Sequence, residues 1–160
     1  MTAIQPHSLD PQTIERLRDL VAATYTGRDD LYRAAANLED SDLSAICHKL
    51  ADELAGNSAH LSQILAMHGT KPHDAKSVTA VLTEEIMRFL REHEHDKGIL
   101  SAANKVECGL RERYDTTIAA TENAETQALL KKQREDVEFG EKVLRQIAKA
   151  GSGDSPPSPK

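Results

Sequence analysis

YTGRDDLYRAAANLED (residues 25–40) and ECGLRERYDTTIAATEN (residues 107–123) are the two stretches whose comparison decides the fold. Laid over each other, they put Tyr32 on Tyr114, Gly27 on Gly109, Asp30 on Glu112 and Tyr25 on Glu107. After one residue of slippage in a loop, NSAH (57–60) falls on EFGE (138–141). Each copy therefore holds a helix, a turn and a second helix. The chain reads as one helical hairpin used twice, with Glu107 and its partners as the place where chemistry would sit.

The bulk numbers fit that reading. Aromatic residues are 3% of the chain and Trp is absent, so the core is built from Leu, Ile, Val and Ala, which suits helix on helix. The net charge is −6 and no basic run occurs, which argues against binding nucleic acid or anionic lipid by charge. No apolar run approaches the roughly 20 residues that a bilayer requires. The N-terminus lacks a basic region followed by an apolar one, so no signal peptide is expected. Two cysteines, Cys47 and Cys108, are too few for a disulfide framework, and a cytoplasmic location is expected. Cys47 lies on an apolar stripe with Leu43, Ile46 and Leu50, and reads as a buried structural thiol.

Outward from the repeat, residues 1–9 form a flexible lead-in. Asp10-Pro11 then starts a helix, since Asp caps and Pro fits the first turn. Ile14, Leu17, Val21, Leu31, Ala35 and Leu38 keep one helical face, which ends near Glu39. Gly27, costing about 1 kcal/mol inside a helix, marks a close helix contact. Asp40 to Asp42 cap a second helix that stops near Gly69, and so short a turn makes an antiparallel hairpin. Ser77 is the expected cap of a shorter third helix carrying Val78, Val81, Leu82, Ile86, Met87 and Leu90. REHEHDKG (91–98) is a charged break. A fourth helix resumes from Ile99 and ends at Thr121, which is also a candidate cap for a last helix, from about Glu122 to Ala150. The folded domain spans residues 10–150. Residues 151–160, GSGDSPPSPK, are expected to be a disordered tail.

Two such hairpins packed together need a join that runs the length of the bundle, and residues 70–97 are long enough. One long crossover is the ferritin-like arrangement. The fold expected is thus all-α: two αα-hairpins joined by a long crossover containing an extra short helix. GRDDLYRAA, LSQILAMHG, KSVTAVL and ILSAANKVECGLRERYDTTIA, in this order across residues 13–149, resemble an uncharacterised bacterial family of ferritin-like four-helix-bundle proteins, distantly similar to rubrerythrin.

The resemblance implies where a metal would sit. In the wider ferritin-like group each hairpin supplies one Glu, seven residues before a Tyr, and one Glu-x-x-His pair. Residues at i and i+3 share a helical face and can reach one ion. Carried onto this chain, Tyr25 stands in place of the first Glu and Asn57 in place of the second, leaving His60. In the second hairpin Glu107 and Glu138 are kept, and Glu141 stands where His would be. The metal candidates are therefore Glu107, Glu138, Glu141 and His60. They make no full di-iron set, but a single iron, manganese or zinc ion is the alternative to no cofactor. Salt bridges along the helix face are the competing account of Glu138. Asn57, with Leu50, Leu54, Leu61 and Ile64 around it, is expected to be buried. Together with Tyr25, Tyr32 and Tyr114 it would form a polar core network near Glu107.

Elsewhere, Glu92 and His95 have ligand spacing within a solvated run, and His68 and His73 read as surface residues flanking a turn. No Ser, His and acid pattern and no phosphate loop is present. The expected function is non-catalytic, through self-association or a protein partner, with a stress response as the setting considered. The alternative is a metal-binding or redox protein with a degenerate ferritin-like site. A scaffold whose tail is the recognised element is the third class.

Overall fold

A computed structural model describes residues 9–74, 78 and 80–150. Among them the chain is all α, with α1 (Pro11–Asn37), α2 (Ser41–Met67), α3 (Glu84–His93), α4 (His95–Ala120) and α5 (Ala124–Ala150). Residues 1–8 of the lead-in, the tail from 151 and the proposed cap Ser77 lie outside the described residues. No described helix is long and apolar enough to cross a membrane.

Most boundaries follow from local chemistry. Asp10 Oδ1 accepts from the Thr13 amide at 2.7 Å, with Pro11 opening α1. Asp40 Oδ1 accepts from the amides of Asp42 and Leu43 and starts α2. Just beyond α2, Gly69 at φ 71 is a left-handed residue that lets the Thr70 amide return to the Leu65 carbonyl. The first hairpin is tied across by Tyr25 to Ser62 and by Ser44 to the Ala35 carbonyl.

Four boundaries differ from expectation. α1 stops at Asn37, two residues before Glu39. α3 begins at Glu84, because Thr83 caps it through the Ile86 amide and Glu84 and Glu85 suit the positive end of the helix. Val81 and Leu82 therefore precede the helix instead of lying on it. The charged break shrinks to Glu94, and α4 starts at His95, whose φ of 56 turns the chain. Glu92 and His95 thus belong to different helices and share no helical face. Asp96 in the same run accepts from the Glu39 and Asp40 amides at 2.9 and 3.0 Å, pinning the α1–α2 turn to the start of α4. Finally, Asn123 and not Thr121 caps α5, by accepting from the Thr126 amide.

α1 and α2 run antiparallel, as do α4 and α5. α1 meets α4 antiparallel at Gly27, where a Cβ would come within 2.7 Å of Leu110 Cδ1 and 3.3 Å of Val106 Cγ1. α2 meets α5 antiparallel, with Leu50 beside Gly140 and the Asn57 carbonyl beside Gln133. α2 and α4 consequently run parallel, and the chain must return along the bundle before α4 can begin. For helices of this length the return is about 40 Å at 1.5 Å per residue. α3 packs on α4 during that return, burying Met87 and Leu90. The shared core includes Leu17, Leu31, Leu61, Ile99, Leu130 and Leu144, all with no accessible surface. Each such side chain contributes about 1.5–3 kcal/mol by burial.

The crossover is fastened to α1 by the GRDDLYR stretch itself. Asp30 is buried, and its Oδ2 accepts from the Val81 amide at 2.9 Å. Arg33 reaches the Leu82 carbonyl and the other Asp30 oxygen. Burial pushes the Asp30 carboxyl upward, against the amides of Val81 and Leu82 and the charge of Arg33, which pull it down. Asp30→Ala strands the Val81 amide and is expected to lower stability by about 2–3 kcal/mol. Asp30→Asn, which keeps one acceptor, is expected to cost less. Urea unfolding of the two variants checks the order. At the α1–α4 contact, Gly27→Leu is expected to lower stability by about 1–3 kcal/mol through overpacking, read as a drop in Tm.

Candidate functional site

Among the described acids Glu107, like Asp30, is almost wholly buried. It projects from α4 into the space between α2 and α5, with 1% of its surface accessible. Room for it comes from Gly140, since a Cβ there would collide with Glu107 Oε2 and lie 3.0 Å from Leu50 Cδ2. A glycine inside a helix is destabilising by about 1 kcal/mol relative to Ala, so its use in α5 has a cause in this contact. Glu107 Oε1 is buried without a hydrogen-bond partner, and so is Asn57 Nδ2. Both residues line one narrow void, together with Glu53 and Asp136. Burial, then the charges of Glu53 and Glu141, holds the Glu107 carboxyl well above the usual carboxylate range. The group therefore keeps its proton to higher pH than an exposed Glu. Glu53 is itself raised by burial and by Asp136. The neighbouring Cys47 is fully buried, and burial together with Glu107 pushes its thiol up to about 12. It is an inert thiolate source.

The other candidates go elsewhere. Glu141 lies beside Glu107 in sequence register, but both its oxygens are 3.2 Å from Arg111 Nε. Glu138 sits on the flank of α5, 3.2 Å from Arg134 Nη1, as the salt-bridge account of that face supposes. His60 is exposed and lines a groove with Ile64 and Leu129. It is ten residues beyond Leu50 on α2, about 15 Å along the axis at 1.5 Å per residue. Glu107 and Glu141 are thus brought near each other, while Glu138 and His60 are not. Among the described residues no group of three or more His, Cys, Asp or Glu side chains is placed to hold a metal ion.

The polar network is also divided. Tyr114 is fully buried and donates to Gln133 Oε1 at 2.8 Å, and Gln133 Nε2 donates to the Asn57 carbonyl at 3.4 Å. That chain links α4, α5 and α2. Asn57 is half-buried as a residue, not buried, although its Nδ2 is closed to solvent. Tyr25 turns to Ser62 and Tyr32 to Asp52, at 2.7 and 2.6 Å, on the flank of the first hairpin. The residue that fills the core at this level of α2 is Ser58, which donates to Thr24 Oγ1 at 2.8 Å. Gln133, Gly140, Glu53 and Asp136 were not singled out in the sequence. Gln133 and Gly140 had a legible signal: Gln133 falls in step with Leu130 and Val137, and Gly140 interrupts a helix without need of a turn. His68, expected at the surface, is half-buried, and its Nε2 accepts from the Leu9 amide.

The sequence profile described as a domain of unknown function (DUF2383) matches residues 12–120, and the chain belongs to that family. The match covers α1 to α4, including Asp30, the crossover and Glu107. No curated protein matches the chain.

Stability should report on Glu107 through pH. Its folded-state pKa is raised, so the folded protein holds a proton that the unfolded chain releases. Stability is then greatest below the ordinary carboxylate pKa and is lost as pH rises toward the folded value. Glu107→Gln is expected to flatten the decline between about pH 5 and pH 8 and to match or exceed the parent at the upper end. Chemical unfolding across that range is the measurement. An unchanged slope would remove Glu107 as its source.

Proposed function

We propose that this is a ferritin-like bundle that acts without catalysis, by associating with a second copy of itself or with a protein partner. The topology supports the fold half of this reading: two antiparallel hairpins, with α2 and α4 parallel and a helix-bearing crossover between them. The observation that carries the functional half is on α3. This helix is sharply amphipathic, yet Ile86 and Phe89 are 40% and 55% exposed on it. They lie three residues apart, on one face. Phe89 is stacked on His93, with ring centroids 4.3 Å apart. Exposed aromatic residues of this kind are enriched at interfaces. The polar groups of the core, in contrast, are mostly engaged with one another, through Tyr114 to Gln133 and Arg111 to Glu141.

Phe89→Glu leaves the buried side of α3 untouched and is expected to abolish self-association without lowering helicity. Sedimentation of parent and variant at several concentrations checks this. A parent that is monomeric throughout, and captures no partner through this face, would remove the reading. A degenerate metal or redox centre is the second reading, favoured by the unpartnered Oε1 of Glu107 beside Glu53 and Asp136. Stoichiometric iron, manganese or zinc in untagged protein, lost in Glu107→Gln, would put it first.

A further inference from the structure

The open groove between α1 and α4 has a polar lining that neither the core nor α3 accounts for. Its volume is about 540 Å³, inside the range of roughly 300–1,000 Å³ typical of small-molecule sites. α4 lines it with Gly109, Glu112, Arg113 and Thr116, spaced so that all fall on one helical stripe. α1 supplies Arg16 and Asp19 to the facing wall.

Arg16 is the unusual member. Among the described residues the half-buried arginines are Arg16, Arg18, Arg28, Arg33, Arg111 and Arg134. Five of them hold ion pairs: Arg18 with Glu15, Arg28 with Asp29, Arg33 with Asp30, Arg111 with Glu141 and Arg134 with Asp115. Arg16 holds none, and its Nε is buried with no acceptor. The buried Nε is closed to a ligand in the groove, but a guanidinium without an ion pair is satisfied best by carboxylate or phosphate oxygens at its terminal nitrogens. The Asp19 carboxylate does not supply one, since it lies 3.6 Å from His73 Nε2 instead.

Gly109 is the second observation. Its repeat partner Gly27 is required by packing, but a Cβ at Gly109 would meet nothing within 4 Å. Packing therefore gives no reason for a glycine there. Any side chain at this position would stand in the groove, and glycine leaves the floor open. Thr116 and Thr117 donate their hydroxyl hydrogens to the carbonyls of Glu112 and Arg113, which leaves each hydroxyl oxygen with acceptor capacity only.

We infer that the α1–α4 groove binds a small oxyanion-bearing ligand, a phosphate or carboxylate held by Arg16 and Arg113 over the floor that Gly109 leaves clear. Asp19, Glu112 and the threonine oxygens favour a ligand that also carries an O–H or N–H group. A bare polyanion fits this mixed lining poorly.

The test is titration of the full chain with inorganic phosphate and, separately, citrate, followed by backbone amide NMR. Saturable shifts are expected at residues 16–20 and 109–117. Response to phosphate alone assigns a phosphate ligand; response to citrate assigns a carboxylate. Arg16→Gln is expected to weaken binding by about tenfold or more, the loss of one charge-assisted contact. Arg145→Gln, an exposed arginine away from the groove, is expected to leave it unchanged. Gly109→Leu is expected to abolish binding while Tm stays level or rises, because its Cβ meets nothing within 4 Å and its side chain enters the groove. That variant keeps the test decisive if Arg16→Gln unfolds. No saturable shift with either probe, or equal binding by Gly109→Leu, overturns the inference.

Discussion

A carboxylate buried on α1 decides how this chain can fold. Asp30 has almost no contact with water and must find its hydrogen bonds in protein. It finds them in the backbone of residues 81 and 82, the segment just before α3. With Arg33 on the Leu82 carbonyl, both polarities of that segment are satisfied from α1. A loop backbone is normally kept at the surface by its need for water. Here two side chains replace the water, so the crossover can lie against α1 with Leu82 buried. Just beyond that contact Thr83 caps α3, which begins at Glu84, and α4 then runs parallel to α2.

Much of this could be read in the sequence, and the reasons differ by element. Asp10 with Pro11, Asp40 with Asp42, and Gly69 are short-range signals, and each behaves in the structure as its local chemistry requires. The stripe from Leu17 to Leu38 identifies the buried face of α1; on α2 Leu50, Leu54 and Leu61 are buried in step with the stripe there, but at the end of the helix Leu65 fills the core while Ile64 is half-buried. The crossover is where local reading fails. Ser77 and Thr83 are both acceptable caps. The choice falls on Thr83 because Val81 and Leu82 are already bonded to α1, a contact across some fifty positions that no local pattern encodes. The same holds for Asp96: inside a run of acids and histidines it resembles a ligand, and it acts as an acceptor for a distant turn.

The candidate site shows a different limit. Helical spacing says which residues share a face, but not how far that face is rotated toward a neighbour. Glu107 faces the interior, with Val106, Leu110 and Tyr114 buried beside it on α4. Glu138 and Glu141 satisfy the spacing equally well on α5. What separates them is Gly140, which brings α5 close enough to seat Glu107 and leaves Glu141 directed at Arg111 and Glu138 at Arg134. The unmatched Oε1 of Glu107 is compatible with this only because burial and nearby acids favour the protonated group, for which an unpaired oxygen costs less than for an anion.

The recurrence of Gly27 and Gly109 sharpens the distinction between a repeated residue and a repeated role. Both glycines belong to the same α1–α4 region, one from each helix. Gly27 faces Leu110 and Val106, and a larger residue there would push the helices apart. Gly109 precedes Leu110, so the helical advance of about 100° per residue turns it away from that contact and toward the groove. In this structure the two equivalent positions of the repeat do not share the contact. One becomes the contact and the other becomes its border. Sequence similarity between the copies persists in both, but the force maintaining glycine at Gly27 is steric. At Gly109 no steric requirement exists, and the open floor between two arginines is the physical difference a side chain would erase.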